Sequence, residues 1–200
     1  KADIAMYACK EAGRNQHKFY TSDTDVAVKR KKDIEERLSG SLASGEGLDV
    51  HFQPILTVEN EIIGVEGFFR WTDDVLGMVS PGEVIPIAED YGLIDQIGRY
   101  VIDQCCDVAK KFPDITISMN LSTRQFRNQK LGWQIEEQVH SHGLNCAQFE
   151  LEIIERLLID QPPEFAANLK HLREAGFRIA LDDFGTGYSS LNCLHDYEID

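Results

Sequence analysis

The chain has 200 residues, and its 20 basic against 34 acidic side chains give a formal charge of −14. Such a field repels polyanions and argues against broad nucleic-acid binding, though not against a small phosphorylated ligand whose charge metal cations offset. The 42% apolar and 27% charged shares are those of a globular chain; no apolar run approaches the roughly 20 residues of a membrane span, and no basic-then-apolar leader stands at Lys1.

Residues 2–12 read as a helix, with Ile4, Ala5, Ala8 and Ala12 on one side and Gly13 as its stop. A chain that opens inside a helix without an initiator Met reads as a fragment, and Tyr197-Glu198-Ile199-Asp200 supplies no closing helix. From 26 to 42 charge is dense and the apolar stripe is narrow, at Ile34, Leu38 and Leu42. That spacing predicts a connecting helix docking one edge on a neighbour, weakened at Ser39-Gly40-Ser41 and ended by Ser44-Gly45-Glu46-Gly47. Lys29-Arg30-Lys31-Lys32 is expected to be an ordinary solvated helix face, with a nucleic-acid or partner patch as the alternative.

From Leu48 strands and helices alternate. Segments 50–56 and 62–71 are rich in β-branched and aromatic residues and only a short turn around Glu59-Asn60-Glu61 separates them. A parallel crossover needs a dozen residues or more, so this first pair is predicted to be an antiparallel hairpin. Ser80-Pro81-Gly82-Glu83 reads as a capping box with proline at the first helical position. A longer helix follows, with Ile94, Ile97, Val101, Cys105 and Val108 on one face; the Cys105-Cys106 pair is read as packing. Next come a strand at 115–121, a helix carrying Leu131, Ile135 and Val139 up to Gly143, and a strand at 149–155. Pro162-Pro163 opens a helix with Phe165, Leu169 and Leu172 that Gly176 closes, and 178–183 is the last clear strand. This alternation predicts a mostly parallel sheet covered by helices. The five cysteines (Cys9, Cys105, Cys106, Cys146, Cys193) are odd in number and lack a CxxC, which predicts reduced thiols in a cytoplasmic protein.

The chemistry concentrates at the strand ends. Glu66 lies within the second strand and Arg70 near its close, Asn120 ends the third, Glu152 and Glu155 the fourth, and Asp182-Asp183 the last. In a parallel barrel those ends meet on one face. Several oxygens converging there repel one another unless a hard divalent cation, Mg²⁺ or Mn²⁺, compensates them, and the scattered histidines and cysteines argue against zinc. Adjacent acids such as Asp182 and Asp183 can bridge two metals about 3.5–4 Å apart, as in phosphoester hydrolysis. A lone acid at a strand end is more often a cap or a surface charge; repetition on successive strands lifts this set above that reading. The glycines and hydroxyls of 185–190 form a loop able to approach a phosphate.

Glu66-Gly67-Phe68-Phe69-Arg70-Trp71, Asn120-Leu121-Ser122, Glu152-Ile153-Ile154-Glu155 and the run from Asp182 to Leu191 (DDFGTGYSSL) resemble the EAL-domain family, bacterial phosphodiesterases that linearise cyclic di-GMP; Gln53-Pro54 fits as well. Ala2-Asp3, Tyr7, Lys10, Gly13-Arg14-Asn15 and Tyr20 resemble the closing helix of a GGDEF domain. The resemblance implies a TIM-like (β/α) barrel of EAL type with an antiparallel first strand, incomplete at its C-terminal end. Its parts would be a GGDEF end at 1–20, a linker helix at 21–47 and the EAL domain at 48–200. It implies a two-metal site of Mg²⁺ or Mn²⁺, with Glu66, Asn120, Glu152 and Asp182 on one ion and Asp182 with Asp183 on the second. Glu66, Glu155, Asp182 and Asp183 form the implied catalytic set, Glu155 anchoring the loop from Phe184 to Ser190 through which such domains dimerise. Arg70 would meet a substrate phosphate and Gln53 would lie near the substrate, cyclic di-GMP, which is opened to pGpG. The protein would be cytoplasmic or anchored to a membrane through upstream sensor segments.

Three departures from the family pattern set up an alternative. The signature EAL is Glu66-Gly67-Phe68 here, adding backbone freedom and bulk beside the ligand; Ile154 stands where the family has threonine; and the family's catalytic lysine and a later glutamate belong beyond Asp200. A degenerate EAL domain that binds cyclic di-GMP without cleaving it is the competing expectation.

Overall fold

A computed structural model describes residues 22–154 and 163–182. In chain order these form α1 (Ser22–Ser44), β1 (Leu48–Leu56), β2 (Ile62–Asp73), β3 (Gly77–Val79), α2 (Pro81–Tyr91), α3 (Ile94–Lys111), β4 (Thr116–Leu121), α4 (Leu131–Ser141), β5 (Phe149–Ile154), α5 (Phe165–Glu174) and β6 (Arg178–Asp182). The helix expected at 2–12, Cys9, Glu155, Asp183, the loop from Phe184 to Ser190, and Cys193 lie outside the described residues. Among the described residues no helix is long and apolar enough to cross a membrane.

The strands hydrogen-bond in the order β1-β2-β4-β5-β6, with β3 added to β2. β1 and β2 are antiparallel, as their short connection predicts, whereas β2, β4, β5 and β6 run parallel with a helix in every crossover. Successive side chains of a strand point to opposite faces. One face buries Phe69, Trp71, Ile117, Met119, Leu121, Phe149, Leu151, Ile153 and Ile179 against the apolar sides of the helices. On α3 that side is Ile94, Ile97, Val101, Ile102, Cys105, Cys106 and Ala109, the helical period read from the sequence. The opposite face takes the polar residues and becomes the interior surface of the sheet.

α1 docks where its stripe predicts, with Ile34 and Leu38 wholly buried and Leu42 packed on the core. Two expectations about this region change. The basic run is not simply solvated: Arg30 makes a two-pronged pair with Glu83 at 2.5 and 2.9 Å, and Lys31 reaches Asp90 at 2.9 Å, both on α2. Nor is Ser80-Pro81-Gly82-Glu83 a capping box. The Ser80 hydroxyl makes no cap bond, its carbonyl instead accepts from the Glu83 and Val84 amides, and Arg30 takes the Glu83 carboxylate that the box would need. The guanidinium holds that carboxyl below its usual range.

α1 also runs straight through Ser39-Gly40-Ser41 to Ser44, because Ser41 accepts a 3.0 Å hydrogen bond from the indole of Trp71 and Leu42 is held by the core. The turn into β1 then needs glycine. Gly47 has φ +73°, and a Cβ there would drive into the Thr72 carbonyl, whose own residue's N–H donates to Gly47 O at 2.9 Å. Gly47→Ala should therefore lower stability by about 2 kcal/mol. A urea midpoint unchanged from wild type would show that the turn can relax.

Candidate functional site

Glu66, Asn120, Glu152 and Asp182 all lie on the interior face, on four adjacent strands. Asn120 pairs in register with Glu152, and Ile154, two residues on, pairs with Asp182. Glu66 pairs with Ser118, two residues below Asn120, and directly opposes Gln53 across the hairpin. Opposed residues of an antiparallel pair share a face, so Gln53 stands beside Glu66. The stagger is bridged by side chains: Asn120 donates from Nδ2 to Glu66 Oε1 at 2.7 Å.

This crowding has an electrostatic signature. Burial pushes Glu152 up to about 8, and the charge and hydrogen bond of Glu66 with the charges of Asp182 and Glu150 push the same way. A proton on Glu152 therefore relieves the repulsion at neutral pH, and a divalent cation would relieve it as well. Three carboxylates and an amide without histidine or cysteine suit a hard cation. By donor type and by charge the residues suit a hard divalent cation, although among the described residues no three acidic, histidine or cysteine side chains stand close enough together to hold one.

Arg70 ends the same face of β2. Its Nη1 donates to the Phe69 carbonyl at 2.9 Å and its guanidinium lies 5.5 Å from the centre of the Phe68 ring. A cleft of about 380 Å³ opens beside it, lined by Arg70, Asn120, Ile154, Asp182, Glu89 and Ser122 together with apolar residues of α3. Gly67 borders this cleft too, but a side chain there would point at the helices. A Cβ there would stand 3.0 Å from Cys105 Sγ and 3.3 Å from Phe52 and Val50, so the missing methyl makes room for the Cys105 sulfur while Glu66 on the opposite face keeps its place. Cys105 and Cys106 are buried, and burial raises both thiols to about 12, in keeping with a packing role.

The segment after β4 contributes more than the sequence disclosed. The Ser122 hydroxyl is hydrogen-bonded to the Glu89 carboxylate; Arg124 donates to the Glu89 carbonyl at 2.8 Å and to Asp90 at 2.9 Å; Gln125 is buried beneath them. The available signal was a polar run, Ser122 to Gln125, continuing past a donor-bearing strand into a turn too short for a helix.

Several known proteins are similar to this chain. A protein described as an uncharacterized signaling protein of Caulobacter vibrioides is 36% identical over all of this chain, which spans 25% of that relative. The bifunctional diguanylate cyclase/cyclic di-GMP phosphodiesterase MucR of Pseudomonas aeruginosa is 34% identical over 95% of the chain and 28% of its own length. The chain thus spans about a quarter of the length of these curated relatives. Among solved structures, a PaMucR phosphodiesterase–c-di-GMP complex superposes with a TM-score of 0.73 at 33% identity, over 81% of this chain and 68% of that one. The EAL enzyme Bd1971 in its form bound to cAMP and cyclic di-GMP gives 0.76 at 26% identity, over 87% and 50%. The described strands and helices are accordingly a portion of a TIM-like EAL barrel. The sequence pattern of the EAL domain matches residues 35–200, so the strands that carry Glu66, Asn120, Glu152 and Asp182 all fall inside the match, and the chain belongs to the EAL domain family.

Proposed function

We propose that the protein is a metal-dependent phosphodiesterase that opens one phosphodiester bond of cyclic di-GMP to give pGpG. The observation that carries the reading is the delivery of Glu66, Glu152 and Asp182, with the Asn120 amide among them, from four adjacent strands onto one face, where the crowded carboxylates favour a cation. The relatives named for cyclic di-GMP hydrolysis or bound to cyclic di-GMP support the substrate.

In this reading Glu66, Asn120, Glu152 and Asp182 hold the first ion, and Asp182 with Asp183 the second. When bound, such ions make a nucleophile of water at neutral pH and neutralise charge on the phosphate. The chain's own residues do the rest. Arg70, backed by Phe68 and braced on the Phe69 carbonyl, presents a fixed cation to a phosphate oxygen. Gln53 lines the site beside Glu66. The apolar part of the cleft, with Ile154 in place of a hydroxyl, takes up a base and excludes water. The proposal extends to Glu155 as anchor of the loop from Phe184 to Ser190, to a homodimer through that loop, and to a GGDEF end at 1–20 ahead of a linker at 21–47 in a cytoplasmic domain.

The test is incubation with cyclic di-GMP and Mg²⁺ or Mn²⁺, following products by anion-exchange chromatography. pGpG is expected to accumulate, to stop on chelation with EDTA and to resume when either ion is restored. Tight binding by calorimetry without pGpG would replace the enzyme by a receptor, and absence of binding would end both readings.

A further inference from the structure

Gln125 sits in the short turn after β4 and is only 5% exposed. Its Oε1 accepts the backbone N–H of Ser122 at 2.9 Å. Its Nε2 rests against Gly98 in α3, where an added Cβ would stand 2.5 Å from that nitrogen, closer than any real contact. Gly98 lies inside an 18-residue helix, where glycine is among the poorest formers, and its φ is not positive. The use of this glycine is therefore the space it leaves for the Gln125 amide.

That amide is one half of a clamp. Ser122 is held through its N–H by Gln125 and through its hydroxyl by Glu89 of α2, and the Arg124 amide returns to the Ser122 oxygen at 3.1 Å. Two residues before Ser122 stands Asn120, whose side chain must reach across to Glu66 at 2.7 Å from an exposed position at the end of β4. The backbone there is fixed by the buried Met119 and Leu121 on either side and by pairing with β5 through Leu121, but beyond Leu121 the ladder stops, and it is the two helices that hold the chain leaving the strand.

We propose that Gln125, seated on the bare backbone of Gly98, is a positioning residue that keeps Asn120 aimed at Glu66. The inference rests on the reading of Asn120 and Glu66 as donors in one site, and its test separates the two. Gly98→Ala places a methyl against the far end of a flexible side chain, so the fold survives while the Gln125 amide is displaced. In the metal-free protein, hydrogen exchange of the 120–125 peptide should then speed up about tenfold, the factor for one lost hydrogen bond, with no fall in melting temperature. Mn²⁺ affinity, read by electron paramagnetic resonance, should fall about tenfold, and kcat with it, while KM for cyclic di-GMP moves little. Gln125→Ala should reproduce these losses, and adding Gly98→Ala to it should change nothing more, because the clash partner is gone. Unchanged exchange in Gly98→Ala, or losses that add in full in the double variant, would overturn the proposal. Failure of the wild type to bind Mn²⁺ would instead refute the donor reading, and the exchange data would still decide the clamp.

Discussion

Replacing Glu66 by glutamine should reduce turnover of cyclic di-GMP about a thousandfold, roughly 4 kcal/mol of lost transition-state stabilisation at 1.36 kcal/mol per factor of ten. Glutamine keeps the size and shape of the side chain and can still accept from Asn120 Nδ2 through its own carbonyl, now 2.7 Å from Glu66 Oε1. What it removes is a formal charge from a cluster in which Glu66 opposes ionisation of Glu152, second only to burial. The fold should therefore not suffer, since relief of like-charge crowding offsets any weakened hydrogen bond, and the thermal melt should stay at or above that of the wild type. Loss of activity with a retained melt assigns Glu66 to the chemistry. Turnover within tenfold of wild type would mean that the ion is held by other groups. The neighbouring departure from the family signature gives a useful contrast. Gly67→Ala restores the family residue, yet the new methyl would meet Cys105 Sγ at 3.0 Å on the helix side, so its effect belongs to packing and not to the site.

The parts of the fold that were legible in the sequence are those set by local chemistry. The turn at Glu59-Asn60-Glu61 is too short for anything but a hairpin, and Asn60 indeed takes a positive φ of 65° within it. The apolar period of α3 and the stripe Ile34, Leu38, Leu42 placed two helices correctly because burial requires those spacings wherever the partner surface lies. The placement of Glu66, Asn120, Glu152 and Asp182 on one face of adjacent strands was legible for the same reason: an apolar strand that ends in a polar side chain announces its direction and its open end. What escaped was decided by partners distant in the chain. Glu83 reads as half of a capping box until Arg30, 53 residues away, claims its carboxylate. Ser39-Gly40-Ser41 reads as a weak stretch of helix until Trp71 supplies a donor to Ser41. β3 is three residues long, below the length at which any period can be seen. Gly98 carries no signal of its own inside the helix, and its use shows only in the Gln125 amide lying on it.

The pairing of Trp71 with Ser41 leads to the largest stability effect. Trp71 is wholly buried, pairs in register with Leu48 on one side and Val79 on the other, and donates from Nε1 to Ser41 Oγ at 3.0 Å. One side chain therefore ties α1, β1, β2 and β3 together. Trp71→Ala removes the ring from the meeting point of these elements and strands the Ser41 hydroxyl in a half-buried place, so unfolding in urea should show a loss of about 4 kcal/mol. Against a total of roughly 5–15 kcal/mol that removes a large share of the stability, so the urea midpoint should fall markedly while the variant still folds. Trp71→Phe keeps most of the volume and gives up the hydrogen bond, and should cost about 1–2 kcal/mol. The other tryptophan provides the control. Trp133 is 64% exposed, and although its ring stacks on His171 at 4.5 Å, Trp133→Ala should cost less than about 1 kcal/mol. Fluorescence separates the two, because the buried indole emits to the blue of the exposed one and only Trp71→Ala should remove the blue component. A cost below 1 kcal/mol for Trp71→Ala would mean that α1 rests loosely on the sheet. A cost near 4 makes α1 a structural part of the EAL domain, so that a pull on this helix is felt at β2, the strand that also presents Glu66 and Arg70.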